Sequence, residues 1–554
     1  MSPKIIHYNL KHASWLLLLV ILLSSTGCAA PLPRPTPTCS VTPDATGTVT
    51  VPPSPSPTAT HDPSDEPCDF CAMKHATLAP PTMHPPAVLP TITPTVQSIT
   101  SPTATRPPAS PTTIPPAPPT TVPPPAPTAT PADTSALALW ETEITLQSYG
   151  WENALVPSSS EEPHYPYPGL NFDAVSPPVP RTYAAIVLEN AYTRVIVVPA
   201  LGGRILRWED KVTGRRLTYA NPVLKPTHWG YRGWWLATGG LEWAFPVNEH
   251  GLNEYRPWQY ELLGGAEWRG IRVWDTDDRT GLRVAITLQL HAGESALSIT
   301  PQLSNPTHTA QPLQFWINAM LTLSDGNTPS ADLHFWVPTT QMMVHSTGDG
   351  SLPGPRNLIS WPVHAGRDFG RYAEWRNYLG LFATEAKGAA GAYDTGADQG
   401  IVRAYPPEIA PGMKIFVLGD LPATLYSDDG SRYFEFWGGY NRTFFPEDDR
   451  VLPAGGSVSW NERWYPVHGI GGLDWANAEV AVACRQTDAG VTVGIYAARE
   501  VDISLVLWQH GELVTEWLPA LGPGTPFQQS QAGAGLGWAL QLWQQGALLA
   551  EIVP

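Results

Sequence analysis

The chain has 554 residues and a formal net charge of −17, with 62 prolines, 23 tryptophans and only 5 cysteines. An acidic balance of this size without any basic cluster excludes a nucleic-acid surface, and so few cysteines exclude a disulfide-stapled scaffold. No GxSxG, HExxH or phosphate-cradling glycine loop occurs, so serine hydrolase, zinc protease and nucleotide-dependent chemistry find no support.

The first residues read as a targeting segment. Lys4, His7, Lys11 and His12 form a basic start, Trp15 to Leu23 is a short apolar run, and Ser24-Ser-Thr-Gly-Cys28 has the form of a bacterial lipobox. Ser25 stands where that motif carries Leu; the alternative is an ordinary secretory signal cleaved near Ala29 or Ala30. Lipidation of Cys28 would tether the protein through acyl chains, because no later apolar run is long enough to cross a bilayer. This predicts an extracytoplasmic, membrane-anchored lipoprotein at a bacterial cell surface. From residue 29 to 136 Pro, Thr, Ala and Ser dominate, a composition that cannot bury a core. The expectation is a disordered stalk reaching on the order of 300 Å at about 3 Å per residue. Within it Cys68 and Cys71 suit a local disulfide or a metal site, and His75 does not complete a haem-attachment motif.

Beyond residue 136 the pattern is β throughout. Tyr192–Pro199 and Leu282–Leu290 have strand character, as do Ser295–Pro301, Ile415–Leu418, Tyr433–Trp437 and Ser457–Tyr465. Turn signals such as Ser427-Asp-Asp-Gly430 separate them, and long helical periodicity is missing. The predicted fold is all-β: a large two-sheet sandwich over residues 137–471, then a small immunoglobulin-like sandwich over residues 472–554. The small domain's simplest role is packing against the large one. Cys484, in a strand-like run, reads as a buried thiol.

The segment from Trp229 to Pro246 is the most informative stretch. It crowds indole and phenol rings, glycines and a single carboxylate, Glu242, into one window. Flat indole faces suit the C–H faces of sugar rings, and a carboxylate among them can bond hydroxyls or move a proton. An aromatic β core accounts for the same composition.

Several motifs in order resemble a known family. They are Trp140-Glu141, Leu188-Glu-Asn-Ala-Tyr192, Pro199-Ala-Leu-Gly-Gly-Arg-Ile205, Gly239-Gly-Leu-Glu-Trp-Ala-Phe-Pro246, His250, Phe315-Trp-Ile-Asn318 and Glu462-Arg-Trp-Tyr-Pro466. Their order and spacing are similar to the bacterial DUF5107 family of the galactose-mutarotase-like superfamily, over about residues 138–483. The resemblance implies a large β-supersandwich with a concave carbohydrate-binding face. Aldose epimerases of that superfamily carry an Asn-His-x-Tyr-Phe-Asn segment; here Phe315-Trp-Ile-Asn318 puts Trp or Ile where the His would stand. Simple sugar mutarotation is therefore not expected.

The candidate site residues follow. Glu242 lies between Leu241 and Trp243, where a raised pKa would suit a general acid; pairing with Arg204 or Arg232 is the structural alternative. Strand alternation puts Glu435 on one face with Tyr433 and Trp437, like a sugar subsite. Glu242 and Glu435 are thus the candidate catalytic carboxylates. Trp243, His250, Asn318, Trp437, Tyr440 and Arg442 are the candidate substrate contacts, with Glu242, Trp243, His250 and Glu435 expected in one pocket on the concave face. Glu462 reads as a salt-bridged structural residue. No cofactor is called for; Asp428-Asp-Gly430 and Glu447-Asp-Asp449 offer oxygens to Ca²⁺, but turn chemistry is the favoured account of both. The expected partners are a glycan and, through the lipid anchor, a membrane. Three functions stay open: a glycoside hydrolase using paired glutamates, a non-catalytic glycan-capture protein, and a structural surface protein.

Overall fold

A computed structural model of the chain describes residues 137–533 and 537–553. The expected signal segment, Cys28, the stalk and the Cys68/Cys71 pair lie outside the described residues.

The runs expected as strands at 192–199, 282–290 and 433–437 form the strands Thr193–Val198, Arg283–His291 and Phe434–Gly439. The run expected at 457–465 splits into Ser457–Ser459 and Glu462–His468, broken where the buried Trp460 turns inward. Among the described residues the strands assemble into two large sheets, one of 13 strands and one of nine. An apolar layer lies between them. Ile205, Leu241, Trp243, Ile317, Phe434 and Phe436 come from the larger sheet, and Ile271, Val284, Ile286, Leu297 and Ile299 from the smaller. Burial of this aliphatic and aromatic surface, at roughly 25 cal/mol per Å², is the main force joining the sheets. The architecture is the all-β two-sheet sandwich expected from the sequence.

One ion pair sits inside this layer. Glu462 accepts two hydrogen bonds from Arg403, at 2.7 and 2.8 Å, and both side chains are fully buried. Gly438 of the larger sheet lies against that guanidinium: a Cβ there would stand 2.3 Å from Arg403 Nε. Glu462 is thus structural, as its sequence setting suggested.

From Trp475 onward the described strands form two four-stranded sheets and one two-stranded pair, around a separate core of Val480, Val493, Ile495, Leu505, Leu507, Leu540 and Leu542. A second apolar cluster joins these strands to the large sandwich, through Ala481, Ala483 and Tyr496 against Tyr393, Val402 and Tyr465. Cys484 is free and half-buried. Among the described residues no group of three or more His, Cys, Asp or Glu side chains could hold a metal ion. Asp428 instead pairs with Lys225, and Glu447 with Arg356.

Candidate functional site: a buried acid–imidazole cluster

Four neighbouring strands of the larger sheet build the site, in the spatial order Gly412–Val417, Phe434–Gly439, Trp316–Leu321 and Trp235–Ala244. Their register aligns Lys414 with Trp437, Trp437 with Asn318, and Asn318 with Glu242, so these four residues form one row. The row faces away from the second sheet, since the alternate residues Leu241, Trp243, Ile317 and Phe436 point into the interlayer core. Glu435 lies one register step along, opposite Met320.

The glycine pair in the strand Trp235–Ala244 adjusts the face. Gly239 and Gly240 have φ of 80° and 77°, a left-handed backbone that glycine adopts at little cost. A Cβ on Gly240 would stand 2.0 Å from the carbonyl oxygen of Ile205. Before the pair Trp235 and Ala237 share the site face with Tyr219 and Tyr433, and after it Ala244 does so with Trp316 and Trp437. Odd and even positions thus exchange sides at the glycines, as at a β-bulge. Trp235 and Glu242 consequently meet, with indole Nε1 donating to Glu242 Oε2 at 3.0 Å.

Glu242 is saturated. Its Oε1 lies 2.6 Å from His250 Nδ1 and accepts from Asn318 Nδ2 at 3.0 Å, while Oε2 lies 3.4 Å from Arg204 Nη2. Burial alone would raise its pKa, but the neighbouring His250 and Arg204 and the Trp235 hydrogen bond win, and the carboxyl is lowered. The raised-pKa general acid expected at Glu242 is therefore corrected: its neighbours are cations and donors, which hold it ionised. His250 shows the reciprocal effect. Burial pushes it down, yet the Glu242 carboxylate, helped by Glu435 and Glu249, pulls its pKa up. A loop delivers His250, through Glu249 at a left-handed φ of 55°, and the imidazole stacks on Trp235 at 3.9 Å. With Nδ1 committed to Glu242, Nε2 has no hydrogen-bond partner among the described residues, and the side chain keeps 11% of its surface exposed.

Glu435 is the less constrained acid. Trp437 Nε1 donates to its Oε2 at 2.9 Å, and Asn318 Nδ2 reaches Oε1 at 3.5 Å. Burial raises its pKa against the opposing pull of Lys414 and His250. Lys414 is itself buried, with Nζ 4.2 Å from the ring centre of Phe444 and 4.5 Å from that of Trp437. Burial pushes its pKa down to about 8 despite Glu435 and Glu249. The two carboxyls, bridged by one amide, are thus driven in opposite directions, a pattern suited to separate acid and base roles. Asn318 Oδ1 is buried without a hydrogen-bond partner among the described residues.

The structure brings together Glu242, His250, Asn318, Glu435 and Trp437. It does not bring in the other three contacts expected from the sequence. Trp243 points into the interlayer core and donates to Gly203 O, because adjacent strand residues face opposite ways. Tyr440 also belongs to that core, stacked on Trp460 with Arg450 over its ring. Arg442 is exposed and makes no bond to the cluster. Arg232 pairs with Glu254, leaving Arg204 as the guanidinium beside Glu242. Lys414, Trp235 and Glu249 join the cluster through cross-strand register, the glycine bulge and a left-handed loop residue, which local sequence pattern does not disclose.

Several solved structures are similar in fold. A TPR-domain containing protein from Parabacteroides distasonis aligns at 22% identity and a TM-score of 0.52, over 60% of this chain and 56% of that one. The chain thus spans little more than half of that protein's length. A putative aldose 1-epimerase from Klebsiella pneumoniae aligns at 13% identity and a TM-score of 0.38, over 52% of this chain and 80% of that one. A galactose mutarotase-like protein from Clostridium acetobutylicum aligns at 12% identity and a TM-score of 0.38, over 52% of this chain and 96% of that one. The family model described as a domain of unknown function, DUF5107, matches residues 160–466, more than half of the chain, and the chain belongs to that family.

Proposed function

We propose that the protein engages a carbohydrate at the acid–imidazole cluster and exchanges a proton with it there. The observation that carries this reading is the Glu242–His250 pair: a saturated carboxylate orients an imidazole whose other nitrogen has no partner among the described residues and whose side chain is 11% exposed. In this arrangement His250 is the proton carrier, Glu242 the positioning carboxylate, and Glu435 the second acid–base group. Cationic His250 gives its Nε2 proton to a sugar oxygen, and an ionised Glu435 takes one from a sugar hydroxyl, so one proton enters the sugar as one leaves it. The buried indoles of Trp235 and Trp437 hold the imidazole and the carboxylates in place. Similarity to proteins named as epimerases and mutarotase-like agrees with a sugar ligand.

The cluster gives less support to hydrolysis by Glu242 and Glu435 flanking a scissile bond. Such a bond must sit between the two carboxyls, where the Asn318 amide already lies within 3.5 Å of both. Capture without turnover is the second reading; the low exposure of Glu242, 1%, and Glu435, 5%, means that in either reading a sugar reaches the cluster through His250. In either reading we propose that Cys28 carries the lipid anchor and that the Pro/Thr-rich segment holds the domain away from the membrane.

The test is a glycan array on the full-length protein, followed by product analysis of each hit by NMR. Proton-transfer chemistry predicts turnover that falls on the order of a hundredfold in His250→Gln, with binding kept. Hits without product in the wild type select capture. An array with no hit overturns both.

A further inference from the structure

The two sheets of the C-terminal sandwich meet different surroundings. The sheet containing Val480–Thr487 and Gly490–Ala497 packs its outer side on the large sandwich. The sheet built from Glu512–Trp517, Ser504–Gln509, Trp538–Gln544 and Ala547–Ile552 carries no such cover among the described residues. Alternation in its two central strands sends Leu505, Leu507, Leu540 and Leu542 into the sandwich core. Val506, Trp508, Gln541 and Trp543 face outward, all half-buried.

The outward residues form a built surface. Register sets Val506 between Gln541 and Glu516, and Gln541 next to Glu551. Gln541 Oε1 accepts from Trp508 Nε1 at 3.0 Å and from Trp543 Nε1 at 3.2 Å, and its Nε2 donates to Glu551 at 2.6 Å. One amide therefore pins two indoles on the same sheet face, so little ring freedom is left to lose on binding. They border a groove of about 660 Å³, which Asp502 and Glu516 also line. That volume suits a small ligand. Glu516 spends one oxygen on Ser504 Oγ, at 2.6 Å; its other oxygen and the Asp502 carboxylate have no hydrogen-bond partner among the described residues.

Charge selects the ligand. From Glu500 to the end the chain has 5 carboxylate side chains and no Lys or Arg. An anionic polymer or lipid surface would be repelled. Indole faces with unpaired carboxylates beside them match the two sides of a sugar ring, apolar C–H faces and hydroxyl edges. We propose that this groove is a second glycan site, separate from the acid–imidazole cluster, that binds a non-anionic oligosaccharide by stacking on Trp508 and Trp543. Glu516 and Asp502 accept hydrogen bonds from its hydroxyls. The site does not depend on the chemistry proposed at His250.

Calorimetric titration of the full-length protein with a cello-oligosaccharide, a chito-oligosaccharide and polygalacturonate tests it. One of the first two should bind, and polygalacturonate should not. Trp508→Ala and Trp543→Ala should each weaken binding at least tenfold, and Trp508→Tyr should restore part of the loss. Glu516→Gln, a surface change that leaves the fold alone, should weaken binding severalfold. The proposal is overturned if neither neutral probe binds at millimolar concentration or if polygalacturonate is preferred. It also falls if the Trp and Glu516 variants bind like wild type.

Discussion

Replacing Glu242 by Gln keeps the shape of the side chain and removes the charge at the centre of the cluster. Arg204, fully buried, keeps its bonds to the carbonyls of Leu201 and Glu254, at 2.9 and 3.3 Å, but loses the carboxylate 3.4 Å away. If the new amide oxygen faces His250 and Asn318, its NH₂ faces the Trp235 N–H and Arg204, so donor meets donor. Breaking a buried ion pair from one side costs about 3–5 kcal/mol, and that is the expected loss of stability near neutral pH. The sign with pH follows from His250. Its folded pKa lies above the ordinary 6.5, so its stabilising contribution is full below pH 6.5 and fades as pH rises through the raised value. In Glu242→Gln burial should dominate, carrying the His250 pKa below its ordinary value and removing this fading. Urea denaturation across pH 5 to 9, with NMR titration of the imidazole, reads both effects. A loss under about 1 kcal/mol, or a His250 that still titrates above its ordinary value, would refute the ion-pair account.

Gly240→Ala puts a methyl against the Ile205 carbonyl at a left-handed backbone position and should lower stability by about 2–3 kcal/mol or more, read by chemical denaturation. Glu462→Gln, which strands Arg403 in the interlayer core, should cost about 3–5 kcal/mol, whereas Arg403→Met combined with Glu462→Leu should recover most of it. Lys414 is lowered to about 8 from an ordinary 10.5, so the unfolded chain binds the extra proton between these values and stability should rise with pH across that window. Lys414→Met should abolish that rise in denaturation curves. Cys28→Ala should move the protein from the membrane to the soluble fraction; a variant that still sediments with membranes would contradict the lipid anchor.

Alternation was the part of the site most legible in the sequence. It places Glu435 and Trp437 on one face, and the structure joins them by a hydrogen bond. The same rule separates Glu242 from Trp243, whose proximity in sequence suggested a shared role. Tyr440 misled in another way: it follows the strand Phe434–Gly439, where its ring meets Trp460 in the core. The fold class was readable because strand runs and turn signals are local. Lys414 was not, because its place beside Trp437 is fixed by the pairing of two strands about 20 residues apart in sequence, through the register of a long-range sheet. Trp235 reaches Glu242 only because two glycines shift the strand by one position, and a Gly-Gly pair in sequence does not say which way the chain turns.

The central claim is that a sugar meets the protein at His250. A crystal structure of the full-length protein with a glycan-array hit tests it most directly. The account predicts a hydroxyl or ring oxygen within hydrogen-bond distance of His250 Nε2, with Glu242 still bonded to Nδ1 and Glu435 facing the same sugar ring. A sugar bound only elsewhere, or a cluster closed and unchanged beneath a bound glycan, would contradict it.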